Sequence, residues 1–265
     1  QLYLEPFSCI VRMSERARGA PSTDPDVTPL DAIFDDVVKL KPLSFLDAVE
    51  PICNSDAIPQ CRERAKRTLE SAVRKKSTGQ LQDSNLTADE LAALLKYCAE
   101  DSTPSFYKAM NARCYEKDRK QILPFKEYMW LLVNTLAKLP PHQGKVVFRA
   151  VDLNLEEEYN KRKAEGVRAA FWSFTSTTKT QEALEKFLGK GGDGTLFIIT
   201  LTQNQARDIS RFNPFKDEEE VLLPPCCQFE IRGVIPAKKG GGMTIVTLEE
   251  VKSSHWILDL SGTAT

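Results

Sequence analysis

Apolar positions along the chain fall into two textures. Before Pro140-Pro141 they recur at helical spacing; after it they gather in short runs rich in β-branched and aromatic residues. The clearest helical stretch starts at Thr87. Thr87 and Glu90 have the spacing of a capping box, in which each side chain accepts the other's free backbone N–H. Leu91, Leu94, Leu95 and Cys98 follow at i, i+3, i+4 and i+7, the buried stripe of an amphipathic helix. Phe106, Met110 and Cys114 predict a second helix, and residues 128–139 a third, ended by the two prolines. Upstream, residues 30–69 mix apolar positions with Pro42, Pro51 and Pro59, which punctuate short helices. Residues 15–30 and 75–86 are polar and read as a linker and a loop.

After Pro141, five runs predict strands: 145–149 (KVVFR), 195–201 (TLFIITL), 229–235 (FEIRGVI), 244–248 and 256–260. Thr178 and Gln181 have the spacing to cap a helix running to Leu188 and closed by Gly189, and Gly240-Gly241-Gly242 reads as a hairpin turn. Helices come first and strands second, without regular alternation. That order predicts an α+β fold rather than a doubly wound parallel sheet.

Composition narrows the chemistry. The 265 residues, 42% of them hydrophobic, suffice for one large domain or two small ones. Lys plus Arg number 36 against 37 Asp plus Glu, a net charge of −1, so nucleic acid is not expected as a partner. Two histidines, His142 and His255, leave no material for a histidine-rich metal centre. Seven irregularly spaced cysteines read as free thiols in a reducing compartment, which favours the cytoplasm. No apolar run approaches the ~20 residues of a membrane span, and the first residues lack the basic start and apolar stretch of a signal peptide. A chain beginning at Gln1 leaves room for a leader that was trimmed, hence for secretion.

GKGGDG at 189–194 matches G-x-G-x-x-G, but a helix precedes it and a strand follows, the reverse of a dinucleotide fingerprint. Lys161-Arg162-Lys163 reads as a solvated helix face. Three segments remain: VVFRAVD, with Arg149 at the end of an apolar strand; FWSFTSTT at 171–178; and KDEEEVLLPP at 216–225. If the last is extended from Glu218, Glu218 and Glu220 point to one side and Glu219 to the other, so two carboxylates converge at the mouth of a sheet. Such a pair suits the binding of a cation.

Together, and in this order, the three segments resemble the Arg-Ser-Glu class of mono-ADP-ribosyltransferases. Phe148-Arg149 matches the family's aromatic-Arg-Gly, with Ala150 in place of Gly. Thr175-Ser176-Thr177-Thr178 after Phe174 matches Phe-x-Ser-Thr-Ser, with Thr178 for the last Ser. Glu218-Glu219-Glu220-Val221-Leu222 followed by prolines matches Glu-x-Glu-Val-Leu. LTADELAALLKY and FYKAMNARC also resemble the helical segment that leads the family's domain. The resemblance implies an N-terminal helical lobe before a core of two twisted, mostly antiparallel sheets. It implies a catalytic domain over 84–265, with 1–83 as an arm and helical extension.

The implied reaction breaks the nicotinamide–ribose bond of NAD, which is a substrate, and requires no metal. The leaving group is already cationic, and the transition state resembles an oxocarbenium ion. By resemblance Glu220 stabilises that charge and binds the ribose. Arg149 suits a phosphate, because its planar guanidinium grips two oxygens at once. Ala150, through its backbone, and Thr177 join the NAD site, and Ser176 orients Glu220. Asn111 and Tyr107 are NAD contacts or structural residues. Glu218 is the base that prepares an arginine acceptor. Phe212, Asn213, Pro214 and Phe215 either offer a platform to the protein substrate or pack their own loop. The expected partner is a protein with an exposed arginine, met by a monomer. Water as acceptor, giving an NAD glycohydrolase, and a catalytically silent module of the same fold are the alternatives.

Overall fold

The computed structural model describes residues 30–34, 43–55, 57–81, 85–180, 194–214, 219–240 and 242–262. The chain divides into two compact units: described residues within 24–140, 212–214 and 257–265 form a helical one, and those within 141–211 and 215–256 a sheet.

The helical unit holds α1 (Phe45–Cys53), α2 (Cys61–Ser77), α3 (Ala88–Tyr97), α4 (Phe106–Arg113) and α5 (Lys126–Ala137). Ser44 caps α1 by accepting the Asp47 N–H, and Asp89 at the start of α3 accepts the Phe45 N–H at 2.7 Å. Pro51 does not end α1; it sits inside the helix, where Val49 and Ile52 are buried on either side of it. Similarly, α2 continues well past Leu69. The capping box forms as expected: Glu90 N–H donates to Thr87 Oγ1 at 3.2 Å, and Thr87 N–H to Glu90 Oε2 at 2.8 Å.

The stripe on α3 departs from its pattern at two neighbouring residues. Leu91, Leu94 and Cys98 are buried, but Leu95 is half-exposed and Lys96 is fully buried. The Lys96 ammonium bonds both oxygens of Asp101, at 2.9 and 3.0 Å, and lies 5.4 Å from the centroid of the Phe106 ring. An interior lysine is tolerable when its charge meets a carboxylate and an aromatic face. Phe106 continues the core to Tyr128 and Phe125, with centroids 4.6 and 5.9 Å away.

The sheet unit has eight strands: β1 (Val146–Val151), β2 (Ala169–Phe171), β3 (Thr175–Thr178), β4 (Thr195–Thr200), β5 (Arg207–Asp208), β6 (Glu220–Leu223), β7 (Cys227–Ile235) and β8 (Thr244–Val251). α6 (Glu156–Ala164) carries three acids in its first turn and Lys161-Arg162-Lys163 in its last, both complementing the helix dipole. The strand order is β2-β7-β8-β4-β1-β3-β6-β5, and every pairing is antiparallel except β4–β8. Alternation puts Val147, Val151, Phe197, Val221, Phe229 and Val246 in one core cluster and Ala150, Leu196 and Met243 in a smaller one.

The α+β architecture stands, but the expected two sheets are joined as one. Five strands, β2 to β1, and three strands, β3 to β5, meet at a single register pair, Phe148↔Thr178. The predicted strand at 256–260 is absent. Ile257 and Leu260 are buried as members of the helical unit, and Asp259 Oδ1 accepts the Ser261 N–H in a local turn instead of a ladder. Their apolar character serves packing. FWSFTSTT is broken between β2 and β3, and the triple-glycine region connects β7 to β8, with Gly242 at φ 100°. The helix expected from Gln181 to Leu188 lies outside the described residues, as does most of GKGGDG.

Candidate active site

The three segments singled out in the sequence lie on adjacent strands. β1 carries Arg149, β3 carries Ser176 and Thr178, and β6 begins at Glu220. The β3–β6 register pairs Thr178 with Glu220 and Ser176 with Leu222. Directly opposed residues share a face, so Ser176, Thr178 and Glu220 stand in one row, with Ser176 diagonal to Glu220. Glu220 is 1% exposed.

Phe148 faces Thr178, so alternation leaves Arg149 out of this row, and it reaches the backbone of β3 instead, across the junction of the sheet. Its Nη1 donates to the Ser176 carbonyl oxygen at 2.7 Å. The β1–β3 ladder stops after Phe148↔Thr178. Beyond that pair the guanidinium supplies a donor to β3 where the ladder supplies none. Thr177 belongs to the opposite row: it is buried, and its hydroxyl donates to the Val221 carbonyl at 2.6 Å on the core side. Ala150 is buried in the smaller cluster and does not take a left-handed φ, so the change from Gly brings no backbone strain.

The extended reading of 218–222 fails at its second residue. Glu219 has φ 41°, a left-handed backbone, and the strand starts only at Glu220. A non-glycine residue there is held by its surroundings. Simple alternation therefore cannot be carried back through Glu219, and Glu218 lies outside the described residues, as does Phe215. Phe212 is 3% and Asn213 1% exposed, and both belong to the helical unit, so Phe212 packs rather than offering an exposed platform. Asn111 and Tyr107 lie on α4 of that unit, and the Tyr107 hydroxyl donates to Glu100 Oε1 at 2.9 Å.

A polar group beside Glu220 escaped the sequence reading. Lys179, next after β3, pairs with Asp208 of β5 at 2.9 Å. Burial alone would push the Asp208 carboxyl up, but hydrogen bonds from Lys179 and Ser210 outweigh it and hold the group below its ordinary range. The bond to Asp208 raises Lys179, with Glu219 adding to the effect. Burial lowers His142, against the pull of Asp208. No motif marks these residues, since the two-residue strand β5 that brings Asp208 here has no apolar pattern. Among the described residues, no group of three or more His, Cys, Asp or Glu side chains is placed to hold a metal ion, and no helix is long and apolar enough to cross a membrane.

Comparison with known proteins bears on this geometry. A family model described as NAD:arginine ADP-ribosyltransferase matches residues 53–255. No curated protein matches the chain at a significant level. Among solved structures, the ADP-ribosyltransferase HopU1 of Pseudomonas syringae pv. Tomato DC3000 superposes with a TM-score of 0.55 at 18% identity, covering 71% of this chain and 87% of its own. The type III effector XopAI of Xanthomonas axonopodis pv. citri gives 0.56 at 18%, covering 78% and 81%. The ADP-ribosyltransferase Vis, a Vibrio splendidus toxin solved with agmatine, gives 0.51 at 21%, covering 71% and 86%. At these identities the likeness is one of fold.

Proposed function

The chain belongs to the NAD:arginine ADP-ribosyltransferase family, and on that premise we propose that it transfers a single ADP-ribose from NAD to an arginine of a protein substrate, releasing nicotinamide. The observation that carries the reading is the row of Ser176, Thr178 and Glu220, with Arg149 bonded to the Ser176 carbonyl from the neighbouring strand. In this reading Glu220 faces the ribose as the C–N bond to nicotinamide breaks. Its carboxylate stabilises the oxocarbenium ion, and no proton donor is needed for a leaving group that departs neutral. Arg149 holds a phosphate of NAD through its planar guanidinium while bonded to β3. Ser176 orients Glu220, and the backbone of Ala150 and Thr177 borders the bound NAD.

Glu218 is assigned to the acceptor. A guanidinium is a poor nucleophile while fully protonated, so a carboxylate near the ribose must orient it and take a proton as the new C–N bond forms. An NAD glycohydrolase would use the same residues with water as acceptor, and one assay separates the two. Agmatine, the compound bound to Vis, is the simplest guanidinium probe. With labelled NAD and agmatine, the wild type labels agmatine. Glu218→Gln loses transfer but still releases nicotinamide. Glu220→Gln lowers both by about a thousandfold, the loss expected when a preorganised charge is removed. Full activity in Glu220→Gln would sink the assignment; nicotinamide release without labelled agmatine in the wild type would leave the glycohydrolase.

A further inference from the structure

We propose that Lys179, Asp208 and Ser210 form a strap that positions Glu220 for cleavage of NAD, an inference that rests on the role given to Glu220 above. β6 lies between β3 and β5, and its ladders are short, four pairs on one side and two on the other. Lys179 follows β3 directly, and Asp208 ends β5. Their 2.9 Å ion pair thus links the strands that flank β6 at the end where Glu220 enters.

The strap continues into the backbone of Glu220. Asp208 Oδ1 accepts the Ser210 N–H at 3.0 Å and the Ser210 hydroxyl at 2.7 Å. Ser210 Oγ is also 3.3 Å from the Glu220 carbonyl oxygen, which accepts the Ile209 N–H at 2.9 Å. The turn made by Asp208 and Ser210 therefore grips the main chain of Glu220 from the β5 side, while Thr178 pairs with it from the β3 side. Just before it the chain is left-handed at Glu219, whose charge also raises Lys179. A strained residue next to a reacting carboxylate stays in place only if its neighbours hold it.

Exposure separates geometry from stability here. The side chains of Lys179 and Asp208 are 34% and 38% exposed, and an ion pair that open to water adds little to folding. Its loss should move Glu220 without unfolding the protein, and a small misplacement of a reacting group is costly in rate.

The test measures steady-state NAD cleavage and melting temperature in Lys179→Met, Lys179→Arg and Ser210→Ala, with Glu220→Gln alongside. Lys179→Met is expected to lower kcat about tenfold with the KM for NAD and the melting temperature unchanged. Lys179→Arg, which keeps the ion pair, restores kcat, and Ser210→Ala lowers it in the same direction as Lys179→Met. Wild-type kcat in both Lys179→Met and Ser210→Ala overturns the strap, as does equal loss in Lys179→Met and Lys179→Arg, or a loss confined to KM. If Glu220→Gln is inactive while those variants match the wild type, the strap alone fails. If Glu220→Gln is itself fully active, the role of Glu220 falls and the strap with it.

Discussion

The two parts of the sheet are held by different means. In the five-strand part, β7–β8 share seven register pairs, β4–β8 and β1–β4 share six each, and only the edge strand β2 is short, with three. In the three-strand part the ladders have four pairs and two. Side chains make up the difference there: Arg149 to the Ser176 carbonyl, Thr177 to the Val221 carbonyl, Lys179 to Asp208, Ser210 beside the Glu220 carbonyl. One large apolar cluster runs under both parts, from Phe229 and Val246 to Val221 and Leu223, so the contrast lies in the ladders and not in the core. The short ones carry Ser176 and Glu220. If the proposed strap holds, the geometry of the candidate site answers to single side chains, and is easier to adjust than one fixed by a ladder.

The strongest way to probe the contrast is to damage the five-strand part. Phe229 is fully buried and packs on Phe171 with ring centroids 4.7 Å apart. Phe229→Ala should cost about 4 kcal/mol of stability by denaturant unfolding, and whatever remains folded should keep its specific activity. An intermediate test strikes the junction. Arg149→Lys keeps the charge but loses the planar fork. NAD cleavage should fall about tenfold, the worth of one charge-assisted hydrogen bond, with denaturant unfolding unchanged. Unfolding at lower denaturant would show that Arg149 holds the two parts together rather than serving the site.

The mildest test uses Glu250, which alternation places on the buried face of β8 beside Leu248. Burial raises its pKa, against the Thr202 and Gln203 N–H groups that both donate to Oε2 at 2.9 Å. A carboxyl raised in the fold contributes stability that is complete below its unfolded pKa and lost as pH rises through its folded value. Stability should therefore decline as pH climbs from 4.5, and Glu250→Gln should flatten that limb. An unchanged limb in the variant would assign the decline to other groups. Asp208, held low, has the opposite sign: its contribution is present above its unfolded pKa and lost as pH falls through its folded one.

What the sequence made legible was what local chemistry decides. Thr87 and Glu90 reach each other within one turn, so their capping box needed no knowledge of the fold. The β-branched runs of β1, β4, β7 and β8 likewise stood out, each to within a few residues. The misreadings involve distant partners. Lys96 goes inside and Leu95 partly outside because Asp101 and Phe106 wait for the ammonium. Ile257 and Leu260 look like strand residues because apolar character does not say which surface it will cover. At the candidate site, the sequence alone showed the order of Arg149, Ser176 and Glu220, and the structure places them on adjacent strands. The bond from Arg149 to the Ser176 carbonyl, the left-handed turn at Glu219 and the pairing of Lys179 with Asp208 were not readable from it, since each depends on strand neighbours far apart in the chain.

The position of β8 also sets an order in time. Among the described residues it is the last strand in chain order, yet it lies between β7 and β4 and supplies the only parallel pairing of the sheet. As the chain leaves the ribosome, β1 and β4 can pair early, but the outer edge of β4 stays open until residues 244–251 have emerged. Over that interval the nascent protein carries an unpaired apolar edge, the kind of surface that recruits chaperones or joins with other chains. A ribosome stalled before Thr244 would therefore hold a sheet that cannot close, whatever the quality of the strands already made.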